Sequence, residues 1–183
     1  MKTTILDKTK KKKFIEGFSE FGLEKIPQVL IKSGAERVRA FSGDLTRDEL
    51  NEFLRNLPVE GIGLYVGKEM IDRHGVLEVR LSLDGLHLWK EQIKNNIIEL
   101  SLEDEEKWFS GKDLTLLEMK TNSEGAKSFG KGLEFNNEDL KGKFVAIKSK
   151  DSGDFIGTGK ISQDGKTLYN YLPKERRRKS QTI

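Results

Sequence analysis

The chain of 183 residues has no cysteine, two histidines and three prolines. Without a thiol there is no disulfide, no thiolate metal site and no cysteine nucleophile. His74 and His87 make no pair at metal spacing and no H-E-x-x-H, so each reads as a surface or internally satisfied side chain. Neither G-x-S-x-G nor the phosphate-cradling G-x-x-x-x-G-K-[ST] occurs; Gly125 to Lys131 and Gly159-Lys160 are glycine-lysine fragments outside that frame. No apolar run approaches the roughly 20 residues of a membrane-spanning helix. The opening M-K-T-T-I-L-D-K-T-K-K-K-K is basic, with no apolar stretch behind it, which points to a cytoplasmic address rather than a secretory leader. These absences lead us to expect no enzyme, no metal and no cofactor.

What is present is charge, and it is unevenly placed. Hydrophobic residues make up 35% of the chain and charged ones 34%, the balance of a soluble globular protein with modest cores. Residues 141–183 hold eleven Lys or Arg against four Asp or Glu, a net +7, whereas residues 1–140 carry 22 against 26, a net −4. The basic segment contains three β-rich runs, Phe144 to Lys148, Asp154 to Ile161 and Thr167 to Leu172, separated by Asp151-Ser152-Gly153 and Asp164-Gly165. Those separators are the residues tight hairpins need, so the segment reads as a β-meander. Gly157 and Gly159, on one face of the middle strand, mark a bend or the close approach of another backbone.

Upstream, Phe14, Phe18 and Phe21 recur at helical spacing, which predicts a helix over residues 7–20. Its lysines 10–13 read either as a phosphate contact or as a solvated helix face. Gln28 to Lys32 and Glu36 to Phe41 form a plausible hairpin around Ser33-Gly34. Thr46-Arg47-Asp48-Glu49 is a capping box, followed by an apolar face of Leu50, Phe53, Leu54 and Leu57 up to Pro58. Strands are expected at Ile62 to Gly67 and Val76 to Leu81, and a helix from Leu83 to Ile93 with Leu86, Trp89 and Ile93 inward. Gly61-Ile62-Gly63-Leu64-Tyr65-Val66-Gly67 has the wrong spacing for a dinucleotide loop and is a strand instead.

From Asn95 the pattern changes. A strand at Ile97 to Leu100 leads to Ser101, then Leu102 and the acids Glu103 to Glu106, which suit the positive end of a helix dipole better than a metal. Leu102, Trp108 and Phe109 supply the buried side of that helix, Gly111 stops it, and Lys112-Asp113-Leu114 begins another strand. Residues 118–140 read as a long glycine-rich loop with a short strand near Leu133 to Phe135.

The order of strand, acid-capped helix ending W-F-S-G-K-D-L, glycine-rich loop, then F-V-A-I-K, D-F-I-G-T-G-K and Y-N-Y-L-P-K-E-R-R-R resembles a PUA domain, the small RNA-binding pseudo-barrel. It is similar to the C-terminal region of the Sun family of RNA cytosine-5 methyltransferases, which has a comparable G-I-G-L-Y-V-G-K lead-in. It resembles more loosely the small ribosome-biogenesis proteins built from a pre-PUA and a PUA domain. The resemblance spans roughly residues 36 to 178. It implies an α+β protein: a pre-PUA-like α+β domain over residues 1–95, a PUA-like barrel over 96–173 and a basic tail over 174–183. The Sun enzymes also need an upstream catalytic domain with cysteine nucleophiles, and neither is present, so a stand-alone, non-catalytic copy of the RNA-binding portion is implied. The expected partner is structured rRNA or tRNA, in ribosome biogenesis or RNA modification, bound by a monomer. The residues this nominates for RNA are Gly111, Lys112, Lys143, Lys148, Lys160, Asn170, Lys174, Arg176, Arg177 and Arg178. The alternative is a protein-interaction module whose acidic N-terminal part docks on an RNA methyltransferase or a ribosome-assembly factor.

Overall fold

The structure is a computed structural model, and it describes residues 3–71, 75, 77–117 and 137–178. His74, most of the expected glycine-rich loop with its strand at Leu133 to Phe135, and Lys179 with the residues after it lie outside the described residues. The chain divides into two compact units, Met1–Asn95 and Asn96–Ile183.

The first unit is built on an antiparallel sheet in sequential order: β1 (Thr3–Ile5), β2 (Val29–Ser33), β3 (Arg37–Phe41), β4 (Leu64–Ile71) and β5 (Leu77–Leu81). The expected hairpin around Ser33-Gly34 is there, with Gly34 at φ 68°. β4 starts two residues later than expected and runs on to Ile71, while the three-residue β1 was not anticipated.

Helix α1 spans Lys8–Glu16 only, capped by Asp7, whose carboxylate accepts from the Lys10 amide at 2.8 Å. The helix expected over residues 7–20 ends at Glu16 with Gly17 as its C-cap, and a Cβ at Gly17 would overlap a Val79 methyl. A 3-10 turn at Ser19–Phe21 takes over, so Phe14, Phe18 and Phe21 all reach the core, the first two edge to face at 4.9 Å.

Helix α2 (Arg47–Asn56) carries the expected capping box: the Glu49 amide donates to Thr46 Oγ1 at 3.3 Å and the Thr46 amide donates to Glu49 Oε2 at 2.8 Å. Its apolar face is narrower than expected. Leu50 is buried, Phe53 and Leu54 are half-buried, and Leu57, already in extended conformation before Pro58, is 48% exposed. Helix α3 (Leu83–Leu88) ends five residues short of the expected Ile93, yet Leu86, Trp89 and Ile93 are all buried.

The second unit holds a five-stranded sheet of order β6-β8-β9-β10-β7. β6 (Ile97–Leu100) runs parallel to β8 (Phe144–Ser149); β9 (Phe155–Ile161), β10 (Thr167–Asn170) and β7 (Leu114–Thr115) complete it antiparallel. The expected meander is therefore present, with β10 two residues shorter. Its turns use Gly153 at φ 74° and Gly165 at φ 71°.

Helix α4 (Leu102–Phe109) lies between β6 and β7 in the chain, capped by Ser101. The Asp104 carboxylate accepts from the Ser101 hydroxyl at 2.9 Å, and Lys107 bonds Glu103 at 3.0 Å, so these acids serve the helix itself. Hydrogen bonding to Glu103 holds the Lys107 ammonium above its usual range. Leu102, expected inward, is 64% exposed: as the first helical residue it lies on the solvent side.

Trp108 is fully buried among Ile98, Leu100, Val145, Ile147, Ile156 and Leu168. Its indole N–H donates to the Ile156 carbonyl at 3.3 Å. Opposite, the β8–β9 register shifts between Ile147 and Lys148, and Gly157 adopts φ 156°. The bend expected at Gly157 is thus a β-bulge. The group that approaches closely there is the indole, since a Cβ on Gly157 would sit 3.1 Å from Trp108 Cζ2.

Candidate nucleic-acid interface

The basic C-terminal end is tied to the turn that follows α4. Gly111 closes that turn at φ 83°, and its amide donates to the Trp108 carbonyl at 2.9 Å. Asn170, at the end of β10, joins the turn to the sheet. Its side-chain amide donates to Trp108 O at 2.7 Å and to Lys112 O at 3.1 Å, while its Oδ1 accepts from the Leu172 amide at 2.8 Å. The Asn170 backbone N–H donates to Asp113 Oδ1 at 2.8 Å. Both donors of that side chain are engaged within the chain, so Asn170 acts as a clamp.

After Pro173 a 3-10 turn (Lys174–Arg176) brings the arginines alongside. Arg177 Nε donates to Leu172 O at 3.0 Å, and its side chain crosses Gly111 so closely that a Cβ there would lie 2.6 Å from Arg177 Cδ. The Arg178 amide donates to Phe109 O at 2.8 Å, and its guanidinium stands over the Phe109 ring at 5.0 Å. Lys112, Lys174, Arg176 and Arg178 are exposed around this anchored turn.

On the other face of β10 lies a groove of about 510 Å³. Alternation along a strand sends Asn170 toward α4 and its neighbours Tyr169 and Tyr171 away from it. Both tyrosines line the groove and are 44% and 38% exposed. Lys160 sits between Phe144 and Tyr169 in the cross-strand register, its ammonium 4.9 Å from the Phe144 ring centroid. Tyr171 meets the same ring edge to face at 5.5 Å. Asp164, in the β9–β10 turn, borders the groove. Its carboxylate accepts from the Ser162 hydroxyl and, at 3.1 Å, from the Lys166 amide, and these bonds hold it below the usual carboxylate range.

No family model matches the chain, and no curated protein does. Among solved structures, the chain is similar to a conserved PUA domain protein from Thermoplasma acidophilum, with 14% identity, a TM-score of 0.55, and coverage of 95% of this chain and 97% of that one. The fold is PUA-like. That likeness is one of fold alone.

Within the PUA-like fold the ten nominated residues fall into four places. Gly111, Lys112, Asn170, Lys174, Arg176, Arg177 and Arg178 gather at the turn after α4. Lys160 lies in the groove, and Lys143 stands exposed at the start of β8, where its carbonyl accepts from the Ile161 amide at 3.0 Å. Lys148 lies at the other end of β8, 3.8 Å from Glu99 on β6. Tyr169, Tyr171 and Phe144 were not nominated. The signal for the tyrosines was in the sequence: in Y-N-Y a period of two puts both rings on one face.

Proposed function

We propose that this chain is a non-catalytic RNA-binding protein, its first unit a pre-PUA-like domain and its second the PUA-like domain that contacts structured rRNA or tRNA. Ribosome biogenesis and RNA modification are the settings this reading favours, with a monomer acting in the cytoplasm. The observation that carries it is the anchored basic turn. Among the described residues Lys112, Lys174 and Arg178 meet no carboxylate in an ion pair: Arg178 is fixed through its backbone amide by the Phe109 carbonyl, and its guanidinium stands over the Phe109 ring. Cations so placed neutralise phosphates and release counterions. In this reading Lys112, Lys174, Arg176 and Arg178 meet the backbone of the RNA, while Gly111, Asn170 and Arg177 are positioning residues.

The test is the salt dependence of affinity for a stem-loop RNA. With Lys112, Lys174, Arg176 and Arg178 changed to serine, the slope of log affinity against log salt should flatten by roughly 3, at about 0.7 per phosphate contact. The same change at Lys10 to Lys13 should matter less, since Lys10 already bonds Asp7 at 3.2 Å and Lys12 lies 3.7 Å from Glu16. An unchanged slope in a folded variant would favour a protein-docking module instead. Incubation with labelled S-adenosylmethionine and RNA should transfer no methyl group, because the chain has no cysteine to attack the base.

A further inference from the structure

The basic turn accounts for phosphate but reads no base, and the groove on the opposite face of β10 offers what the turn lacks. Its volume of about 510 Å³ falls within the roughly 300–1,000 Å³ of small-molecule sites. Tyr169 and Tyr171 are both partly exposed, and the second is fixed by its edge-to-face contact with Phe144. Flat, exposed aromatic faces beside a cation are the recurring means of holding unstacked bases.

Resting on the RNA-binding reading above, we propose that this groove receives one unpaired nucleobase of the bound RNA, stacked on Tyr169 and Tyr171, with Lys160 on the adjoining phosphate. The polarity of the groove orients the nucleotide. Lys160 stands at the Phe144 side, and the Asp164 carboxylate stands at the β9–β10 turn, where it repels phosphate and accepts from a base N–H. The sugar-phosphate chain therefore runs past Lys160, and the edge of the base faces Asp164.

The experiment compares a short oligoadenylate with an abasic oligonucleotide of the same length, so that phosphate count is equal and only the base differs. The intact protein should prefer the oligoadenylate. Tyr169→Ala should cost roughly 5- to 150-fold in affinity for it, the range of a lost stacking contact, with no change for the abasic strand and no change in salt slope. Tyr169→Phe keeps the ring and should retain the preference. In the unaltered protein, ultraviolet crosslinking of an iodouridine-substituted loop should map to Tyr169 or Tyr171, a measurement that does not depend on how any variant folds. Equal affinity for the two strands, or crosslinks confined to the turn after α4, would overturn the groove proposal and leave RNA binding standing. Failure of the intact protein to bind either strand or the stem-loop RNA would overturn both, whereas binding of the stem-loop alone would overturn only the groove proposal.

Discussion

Cations on the sheet of the first unit and at the C-terminal end of the second are restrained in different ways. In the first, lysines on the sheet face carboxylates: Lys32 bonds Glu69 at 2.6 Å and Lys68 bonds Glu36 at 3.1 Å. At the end of the second, Arg177 is held by the Leu172 carbonyl and Arg178 by the Phe109 ring. A carboxylate fixes a cation and cancels its field; a carbonyl or a ring fixes it and leaves most of the field intact. Net charge alone, −4 against +7 across position 140, does not convey this. By unit the charges nearly balance, 17 Lys or Arg against 15 Asp or Glu over residues 1–95 and 16 against 15 over 96–183, so what suits phosphate binding is that Arg177 and Arg178 are ordered by a carbonyl and a ring.

The comparison can be broken most forcefully at Trp108, because the ordering of the basic turn depends on it. Its carbonyl receives Asn170, and its fully buried ring fills the space left by Gly157. Trp108→Ala should cost about 3 to 5 kcal/mol, the usual range for removing a buried aromatic, and should loosen the arginines along with the core. Denaturant melts measure the first effect, and amide exchange at Arg178, bonded to Phe109 O, measures the second. Retained protection of that amide in a destabilised variant would show that the turn stands without the tryptophan.

Asn170 comes next. Asn170→Ala leaves the Leu172 amide and the Lys112 carbonyl without this partner and the Trp108 carbonyl with the Gly111 amide, a loss of about 1 to 3 kcal/mol where such a group stays sheltered from water. Asn170→Asp is the sharper variant. It is of similar size but sets a carboxylate against two carbonyl oxygens, so the clamp reading expects it to be at least as destabilising as alanine. Were Asn170 instead a direct RNA contact, both variants would keep full stability and lose affinity alone.

Features written in neighbouring residues were legible in the sequence. Asp151-Ser152-Gly153 and Asp164-Gly165 gave away the meander, and the Thr46 to Glu49 capping box marked the start of α2. Helix ends were less so. Spacing placed Phe14, Phe18 and Phe21 inward correctly but could not reveal that α1 would end at Glu16 and a 3-10 turn carry the last of them. Counting Leu57 and Leu102 into apolar faces failed because each sits at a helix terminus, where the 3.6-residue period no longer sets its direction. The candidate site divides in the same manner. Its lysines and arginines were visible as charge, but the role of Asn170 rests on partners 57 to 62 residues away.

The smallest expected effect compares two carboxyl groups, one in each unit. Glu49 is held below its usual range by the Thr46 hydroxyl first and the Thr46 amide second. Asp164 is held low by the Ser162 hydroxyl first and the Lys166 amide second. A carboxyl depressed by folding contributes stability that is fully present above its unfolded pKa, about 4.3 for Glu and 3.9 for Asp. That contribution is lost as pH falls through the lower, folded value. Both groups therefore favour the fold at neutral pH and cease to do so in acid. They differ in what surrounds them: Glu49 closes a helix cap, whereas Asp164 borders the groove proposed to hold a base. Carbon-detected NMR titration should find both below their ordinary values in the isolated protein. If RNA sets a base N–H against Asp164, bound RNA should lower its titration point further and leave Glu49 where it was. A shift of Asp164 upward on binding would mean that phosphate, not base, lies beside it.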